Sequence, residues 1–345
     1  MRALALLLAL ALACGDDDAG TPDAAAPLDA ALDAALDSST PDDAAADAGD
    51  PEDDAGADAG PEEPIDPVAG AGTVETVASA YMGEDFGFLE GPHWIDDHLV
   101  FSDLIFSSSA RQTIYALGAD DALSIVVRPS EGANGNGTHP DGTHITCLQG
   151  GRRLAEVTPG GELITRIERY EGQRINAPND LVFRSDGLWY FTDPGYGVNP
   201  GDREIDAHGL YLVAGDTLTR VWTGTTTQRP NGVVLSPDEA TLYLADTADG
   251  VVRAFDVAAD GTLSGERTFA GDTAGADGMT IDAAGNLYVT TNVGVRVFAP
   301  DGSEWGTLAI PMQPANAAFG GADGRTLYVT ARTTLYRVPM PIPGL

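Results

Sequence analysis

Six oxygen-bearing side chains recur along the chain, each at the start of an apolar stretch that runs into a turn. They are Glu90, Asn134, Asn179, Asn231, Asp277 and Asn316. Their separations of 44, 45, 52, 46 and 39 residues match the length of one blade of a β-propeller. Because equivalent positions of all blades in a closed propeller face one axis, the repeat predicts that these side chains gather at one mouth of a central channel.

A ring of oxygen atoms around one channel mouth indicates a site for a metal ion. A local interpretation is also open, because Asn-Gly and Asp-Gly pairs are common turn formers. Any one of these positions alone would therefore be assigned to a turn. Their shared position in every repeat favours the metal site.

The elements that must hold these side chains are predicted to be strands. After residue 75, no helical pattern is longer than two turns, and aromatic and β-branched residues follow short turns at regular intervals. The clearest such segments are residues 188–193, 242–246, 287–290 and 327–330. This pattern predicts an all-β fold, a six-bladed β-propeller rather than a sandwich. Closing the ring requires either residues 71–88 or the strand near residues 335–338 to complete a blade.

The first 70 residues have a different character. Residues 1–14 have one positive charge, a short apolar run and Cys14, which indicates an export signal peptide with a lipobox-like cysteine. The alternative is an ordinary cleaved signal peptide in which Cys14 has no role. Residues 15–70 contain no aromatic and no basic residue, and predict a disordered acidic tether. We therefore expect residues 71–345 to form the propeller of an exported lipoprotein, anchored through Cys14 on the periplasmic side of a membrane or at the cell surface, and otherwise secreted.

The charge of the chain excludes one class of partner. The chain has 53 acidic residues and 18 basic ones, all of them arginine, and its formal net charge is -35. Nucleic-acid binding depends on neutralising phosphates, so we expect no nucleic-acid partner. We expect a monomer.

Five motifs occur in order at the blade spacing. They are Leu89-Glu90-Gly91-Pro92-His93-Trp94, Ala133-Asn134-Gly135, Ala177-Pro178-Asn179-Asp180 with Tyr190-Phe191-Thr192-Asp193-Pro194-Gly195-Tyr196-Gly197, Arg229-Pro230-Asn231-Gly232, and Ala276-Asp277-Gly278-Met279. Together they resemble the gluconolactonase family, which includes regucalcin (senescence marker protein). The resemblance covers roughly residues 75 to 340. It implies a six-bladed propeller with a divalent cation, often calcium, on the channel axis.

Carried over by position, the resemblance implies the metal ligands Glu90, Asn179, Asn231 and Asp277. Two carboxylates and two amide oxygens suit Ca²⁺ or Mg²⁺ better than Zn²⁺. We therefore expect one divalent cation, Ca²⁺ in the first place, with Mg²⁺ and Zn²⁺ as alternatives. Asn134 is in phase with these ligands and is expected to contact substrate, whereas Asn316 is expected to form only the turn of the sixth blade.

The resemblance implies hydrolysis of a small lactone, a carboxylic ester, with the cation polarising the carbonyl. Asp277 is the carboxylate expected to act as general base or nucleophile, and Asp180 is a second candidate because it follows a ligand. His93 follows Glu90 by three residues and is expected to reach the rim and contact substrate, with a packing role on the face of its strand as the alternative. Two other functions stay open from the sequence. They are a metal-dependent phosphotriesterase or other esterase on the same scaffold, and a non-enzymatic propeller that only holds calcium.

Overall fold

The computed structural model describes residues 64–345, and its regular structure is almost entirely β-strand. In chain order the strands are β1 (Glu75–Ala78), β2 (Ala80–Tyr81), β3 (Glu84–Asp85), β4 (Leu89–Ile95), β5 (His98–Asp103), β6 (Thr113–Leu117), β7 (Leu123–Val127), β8 (Ala133–Thr138), β9 (His144–Leu148), β10 (Arg153–Val157), β11 (Leu163–Ile167), β12 (Arg169–Tyr170), β13 (Gln173–Arg174), β14 (Leu181–Phe183), β15 (Trp189–Asp193), β16 (Gly209–Ala214), β17 (Thr217–Thr223), β18 (Pro230–Leu235), β19 (Thr241–Asp246), β20 (Val251–Val257), β21 (Leu263–Ala270), β22 (Met279–Ile281), β23 (Leu287–Thr291), β24 (Gly294–Phe298), β25 (Glu304–Leu308), β26 (Asn316–Gly320), β27 (Thr326–Ala331) and β28 (Thr334–Pro339). Two short 3₁₀ turns, Ser109–Arg111 and Pro200–Asp202, lie in the loops.

The strands form six four-stranded antiparallel sheets. The sheets are β4–β7, β8–β11, β14–β17, β18–β21, β22–β25, and β26–β28 with β1. Each sheet begins at one of the recurring polar positions and winds outwards through consecutive hairpins. The innermost strands β4, β8, β14, β18, β22 and β26 contact one another in turn, and β26 also contacts β4. The predicted six-bladed propeller is therefore confirmed.

The ring is closed by strands from opposite ends of the described chain. β1 pairs with β28 in the sixth blade, where Glu75 lies opposite Arg337 and Thr76 opposite Tyr336. The Arg337 guanidinium donates to the Glu75 carboxylate at 2.9 Å. Both segments expected to complete a blade thus take part in the same one.

The hydrophobic core lies mainly between neighbouring blades rather than inside any one of them. Because side chains alternate along each middle strand, every blade presents an apolar face to both neighbours. Phe101 and Tyr115 of the first blade, for example, share one cluster with Tyr328 and Leu335 of the sixth. Burying such a side chain fully contributes about 1.5–3 kcal/mol, so these contacts hold the blades in the ring that positions the polar residues at the axis.

The described residues just before 71, the expected start of the propeller, already contact it. The carboxylate of Asp66 accepts hydrogen bonds from the N–H groups of Val68 and Ala69, both at 2.9 Å. Val68 packs on the apolar cluster of the last two blades. The predicted signal peptide, Cys14 and most of the predicted tether lie outside residues 64–345. Among the described residues, no helix is long and apolar enough to span a bilayer.

Candidate metal centre and active site

One cavity, of about 340 Å³, opens where the innermost strands begin. Its polar lining includes Glu90, Asn134, Asn179, Asn231 and Asp277. Four of these side chains are buried and Asp277 is half-buried. The structure thus brings the four predicted metal ligands together with Asn134.

The glycine that follows most of these residues has a steric role. A Cβ atom on Gly232 would lie 2.4 Å from the carbonyl oxygen of Asp277 in the next blade, and one on Gly91 would lie 1.9 Å from that of Asn134. No real Cβ approaches a main-chain oxygen so closely. The local interpretation of the Asn-Gly and Asp-Gly pairs as turns is therefore wrong here. Glycine is required because the innermost strands of adjacent blades touch at the axis.

Three buried aspartates at the ends of second strands hold the segments that carry the ligands. Each accepts main-chain N–H groups that lie two or three residues before a predicted ligand. Asp103 accepts from Gly87 at 2.8 Å and from Phe88 at 3.2 Å. Asp193 accepts from Asn176 at 2.8 Å and from Ala177 at 2.5 Å. Asp246 accepts from Arg229 at 3.0 Å. These carboxylates therefore fix the entry of the chain into β4, β14 and β18.

Neighbouring side chains orient two of the amides in the cavity. Asn134 donates its Nδ2 to Oε1 of Gln149 at 3.0 Å, and its Oδ1 is buried without a hydrogen-bond partner among the described residues. Asn231 donates its Nδ2 to the hydroxyl of Thr247, also at 3.0 Å. Because the N–H ends of both amides are engaged, their oxygen ends are left for a ligand in the cavity.

The carboxylates in this cavity repel one another. Burial raises the pKa of Glu90 well above its usual value, and the charges of Asp277 and Asp180 raise it further. Burial and the charge of Asp180 likewise raise the pKa of Asp277. A divalent cation between Glu90 and Asp277 would remove this repulsion and lower both pKa values.

The donor set fits a hard cation. Within residues 64–345, no three His, Cys, Asp or Glu side chains converge closely enough to hold a metal by themselves. A cation at this cavity must therefore also use amide oxygens, which is the predicted combination of two carboxylates with Asn179 and Asn231. The unpartnered Oδ1 of Asn134 adds a further oxygen at the cavity wall. Such all-oxygen sites suit Ca²⁺ or Mg²⁺.

Residues 88–333 match the model of a protein family described as SMP-30/Gluconolactonase/LRE-like region. The chain belongs to this family. The predicted family resemblance is therefore confirmed, and the match spans all five motifs on which it was based.

Individual members of the family are similar over most of their length. A gluconolactonase from Zymomonas mobilis is 32% identical over 301 residues, which cover 77% of this chain and 80% of that protein. The solved structure of a gluconolactonase from Xanthomonas campestris superposes with a TM-score of 0.71 at 29% identity, covering 80% of this chain and 91% of that one. A regucalcin from Agrobacterium tumefaciens, described as a calcium-binding protein, gives a TM-score of 0.65 at 19% identity, covering 79% and 96%. This last similarity supports the fold alone.

Two of the predicted site residues, Asp180 and His93, do not line this first cavity. Asp180 and His93 line a second cavity of about 240 Å³, formed by later residues of the innermost strands. Asp180 accepts hydrogen bonds from the N–H groups of Leu181 and Val233 at 3.0 and 3.3 Å, and burial raises its pKa to about 7. His93 Nε2 lies 3.0 Å from the hydroxyl of Thr138. Both residues therefore line the second cavity rather than the first, although Asp180 lies close enough for its charge to raise the pKa of Glu90 and of Asp277.

Asn316 also lines the second cavity rather than the first. Its Oδ1 accepts the N–H of Ala317 at 2.8 Å, and its side chain hydrogen-bonds Glu90, which lowers the pKa of that carboxyl. The sixth polar position is therefore an innermost-strand residue that contacts a predicted ligand, and not a turn.

Three polar residues that line the first cavity were missed in the sequence. They are Gln149, Tyr196 and Thr247. Gln149 orients the amide of Asn134, Thr247 orients that of the predicted ligand Asn231, and Tyr196 places a phenol in the same cavity. Tyr196 stands in the Pro194-Gly195-Tyr196-Gly197 motif, so the family resemblance offered a signal for it. Gln149 and Thr247 follow second strands directly, and that shared position was the signal for them.

Proposed function

We propose that this protein hydrolyses sugar lactones with a divalent cation held by Glu90, Asn179, Asn231 and Asp277. The observation that carries the proposal is the convergence of these four oxygen donors on one cavity in a member of this family. The relatives named gluconolactonase support the predicted class, a hydrolase of carboxylic esters. We take Ca²⁺ as the cation because the donors are all oxygen atoms.

When bound, the cation would supply electrophilic assistance to the lactone carbonyl. The carboxylate of Asp277 is half-buried and therefore open to water in the cavity, whereas Glu90 is buried and accepts the N–H of Gly91 at 3.1 Å. We therefore assign the general base to Asp277, which removes a proton from the attacking water. Asn134 Oδ1, whose amide N–H is fixed by Gln149, accepts a hydrogen bond from a substrate hydroxyl.

The Tyr196 phenol lines the same cavity. Burial raises the pKa of Tyr196 above its usual value, so the hydroxyl keeps its proton at neutral pH. It can therefore donate a hydrogen bond to an oxygen that gains negative charge when the ring opens.

The test is lactone hydrolysis across a panel of sugar lactones and one phosphotriester, before and after exhaustive chelation. We expect lactone hydrolysis that chelation abolishes and Ca²⁺ restores. We expect Asp277→Asn to lower kcat by about 10³-fold, and the exposed Asp272→Asn to serve as its matched control. Activity that survives chelation would refute the metal mechanism. Turnover of the phosphotriester alone would refute the lactonase.

We also propose that the protein is exported and tethered to a membrane by a lipid on Cys14. The support is the sequence of residues 1–14, which lie outside the described part of the chain. Cys147 is buried, so Cys147→Ala is a natural control for Cys14→Ala. We expect metabolic labelling with a fatty acid to be lost only in the Cys14 variant. Mass spectrometry that finds an unmodified mature N-terminus or a free Cys14 thiol would contradict the anchor.

A further inference from the structure

A groove of about 590 Å³ adjoins the proposed catalytic cavity. The two spaces share five lining residues: Leu104, Phe106, Gln149, Tyr196 and Gly197. The groove therefore lies directly beside the cavity in which the lactone carbonyl is proposed to bind. The groove is larger than the cavity itself, so a single sugar ring in the cavity leaves it empty.

One wall of the groove is aromatic. Phe106 is 74% exposed, although it stands at the rim of the site. Its ring packs against Phe88 with the centroids 6.0 Å apart, and the guanidinium of Arg332 lies 5.5 Å from the Phe88 ring centre. An aromatic ring held by its neighbours but left open to water presents a flat apolar surface. The apolar C–H face of a sugar ring is a ligand of the matching shape.

The groove lining also carries hydrogen-bonding groups that are only partly used. The Oε1 of Gln149 accepts a hydrogen bond from Asn134. Its Nε2, which is a donor, lies 3.8 Å from the point where a Cβ of Gly197 would stand. Asn199 donates its Nδ2 to Asp202 at 3.0 Å, which leaves its Oδ1 as an acceptor. The lining thus offers both a donor and an acceptor, as the hydroxyl groups at the edge of a sugar ring require.

Arg152 contributes a guanidinium that is already held in place. Its Nε donates to the carbonyls of Ile175 and Asn176 at 3.1 and 2.9 Å, and its Nη1 to that of Asp202 at 3.1 Å. Its hydrogen bonds among the described residues all go to main-chain carbonyls, and its Nη2 is buried without a hydrogen-bond partner. Its backbone φ of 53° is unusual for a residue with a side chain. The side chain is therefore tied to the groove wall by neutral groups.

The charge of the groove argues against an acidic substituent. Arg152 and Asp202 are the two charged residues of its lining, one positive and one negative, so the lining has no net charge. The chain as a whole has a formal net charge of -35. An anionic group would thus gain no net attraction here, whereas a neutral polyhydroxyl group would meet an aromatic face and several polar groups.

We propose that the groove is a second sugar subsite, and that the preferred substrates are lactones of disaccharide aldonic acids. The lactone ring occupies the catalytic cavity, and the neutral second ring contacts Phe106 and the polar groups of the groove lining. This inference rests on the proposed lactonase function and names its substrate class.

The test compares kcat/KM for cellobiono-1,5-lactone, glucono-1,5-lactone and 6-phosphoglucono-lactone with the calcium-loaded protein. One aromatic contact and one or two hydrogen bonds predict about a tenfold preference for the disaccharide lactone. Phe106→Ala and Asn199→Ala should each reduce that preference severalfold. Ile164→Ala, an equally apolar change at a 46% exposed position on β11 that lines neither space, should leave the ratio unchanged.

Binding of the open-chain products separates this proposal from the proposed function. Cellobionate and gluconate carry the same carboxylate, so calorimetry on the two reports the second ring alone. If no lactone is hydrolysed but cellobionate binds about tenfold more tightly, and Phe106→Ala removes the difference, the lactonase function fails and the subsite stands. Equal kcat/KM values with equal product affinities overturn the subsite, as does a preference for the phosphorylated lactone. The proposal is also overturned if the Phe106 and Asn199 variants lower kcat/KM equally for the disaccharide lactone and for glucono-1,5-lactone.

Discussion

Replacing Gly232 by alanine should disturb the fold and the metal centre together. Gly232 lies between Asn231 and the next blade, where its N–H donates to the carbonyl of Asp277 at 3.2 Å. A Cβ at this position would stand 2.4 Å from that oxygen, 2.9 Å from Gly278 Cα and 3.0 Å from Met279 N. All three atoms belong to the main chain, so no side chain can rotate away.

The distances set the size of the effect. Ordinary contact for a Cβ begins at 3.4 Å, so the strand after Asp277 must retreat by the difference from 2.4 Å, or about 1 Å. Overpacking of this kind costs about 1–3 kcal/mol, and the weakened hydrogen bond adds about 1 kcal/mol. We therefore expect Gly232→Ala to lower the free energy of unfolding by about 2–4 kcal/mol. A displacement of about 1 Å at a catalytic group also lowers the turnover by roughly 10²-fold.

Urea unfolding, calcium titration by calorimetry and lactone turnover measure these effects separately. The control is Gly271→Ala, because a Cβ on Gly271 meets no atom within 4 Å and its φ is not in the left-handed region. We expect the control to change the free energy of unfolding by less than about 1 kcal/mol. If the two variants unfold at the same urea concentration and bind calcium equally, close contact between blades is not the reason that glycine occupies these positions.

Three further outcomes can be measured. Burial raises the pKa of Asp103 to about 6, above roughly 3.9 in an unfolded chain. Its stabilising contribution is thus present below about pH 4 and is lost as the pH rises through 6. The free energy of unfolding of Asp103→Asn should therefore rise relative to wild type by about 2–3 kcal/mol between pH 4 and 7, and a constant difference would contradict the assignment. Gln149→Ala frees the amide of Asn134 and should lower kcat/KM for lactones about tenfold without loss of stability beyond about 1 kcal/mol; unchanged kcat/KM would show that the amide needs no such support. Arg203 donates to two carbonyls of the loop 194–199. Arg203→Ala should therefore speed amide hydrogen exchange in that loop selectively. Exchange rates in the loop that do not change relative to the rest of the protein would show that Arg203 does not stabilise its conformation.

The repeat in the sequence was sufficient to predict the ring and its polar centre. Glu90 and Asp277 could be assigned because they occupy the same position of different blades, and a shared position in a propeller means a shared distance from the axis. The same reasoning gave two candidate segments for closing the ring, residues 71–88 and 335–338, and the structure pairs one with the other as β1 and β28.

The face of each innermost strand could not be predicted by counting residues. The pairing of β4 with β5 shifts register between Glu90 and His93, and that of β8 with β9 shifts between Ala133 and Asn136. A bulge of this kind interrupts the alternation of side chains, so the face of His93 does not follow from its distance of three residues from Glu90. The bulges depend on contacts with the next blade, which a single strand does not reveal.

The remaining residues of the site come from loops that differ between repeats. Tyr196 and Asn199 lie in a long connection between β15 and β16, for which the other blades offer no equivalent. The role of the glycine after Asn231 could not be read from the sequence for a related reason. The pair Asn-Gly looks the same whether it turns the chain or passes close to another backbone, and only the neighbouring blade distinguishes the two.

The pairing of β1 with β28 has a consequence for the order of folding. Its partners, such as Glu75 and Arg337, are 262 residues apart, so the sixth blade cannot form until almost the whole chain has been synthesised. Until then β1 is an exposed strand edge that can pair with another molecule. Ring closure should therefore be a late step that depends on long-range contact, and a chain that stops before β28 should assemble five blades and aggregate through the open seam.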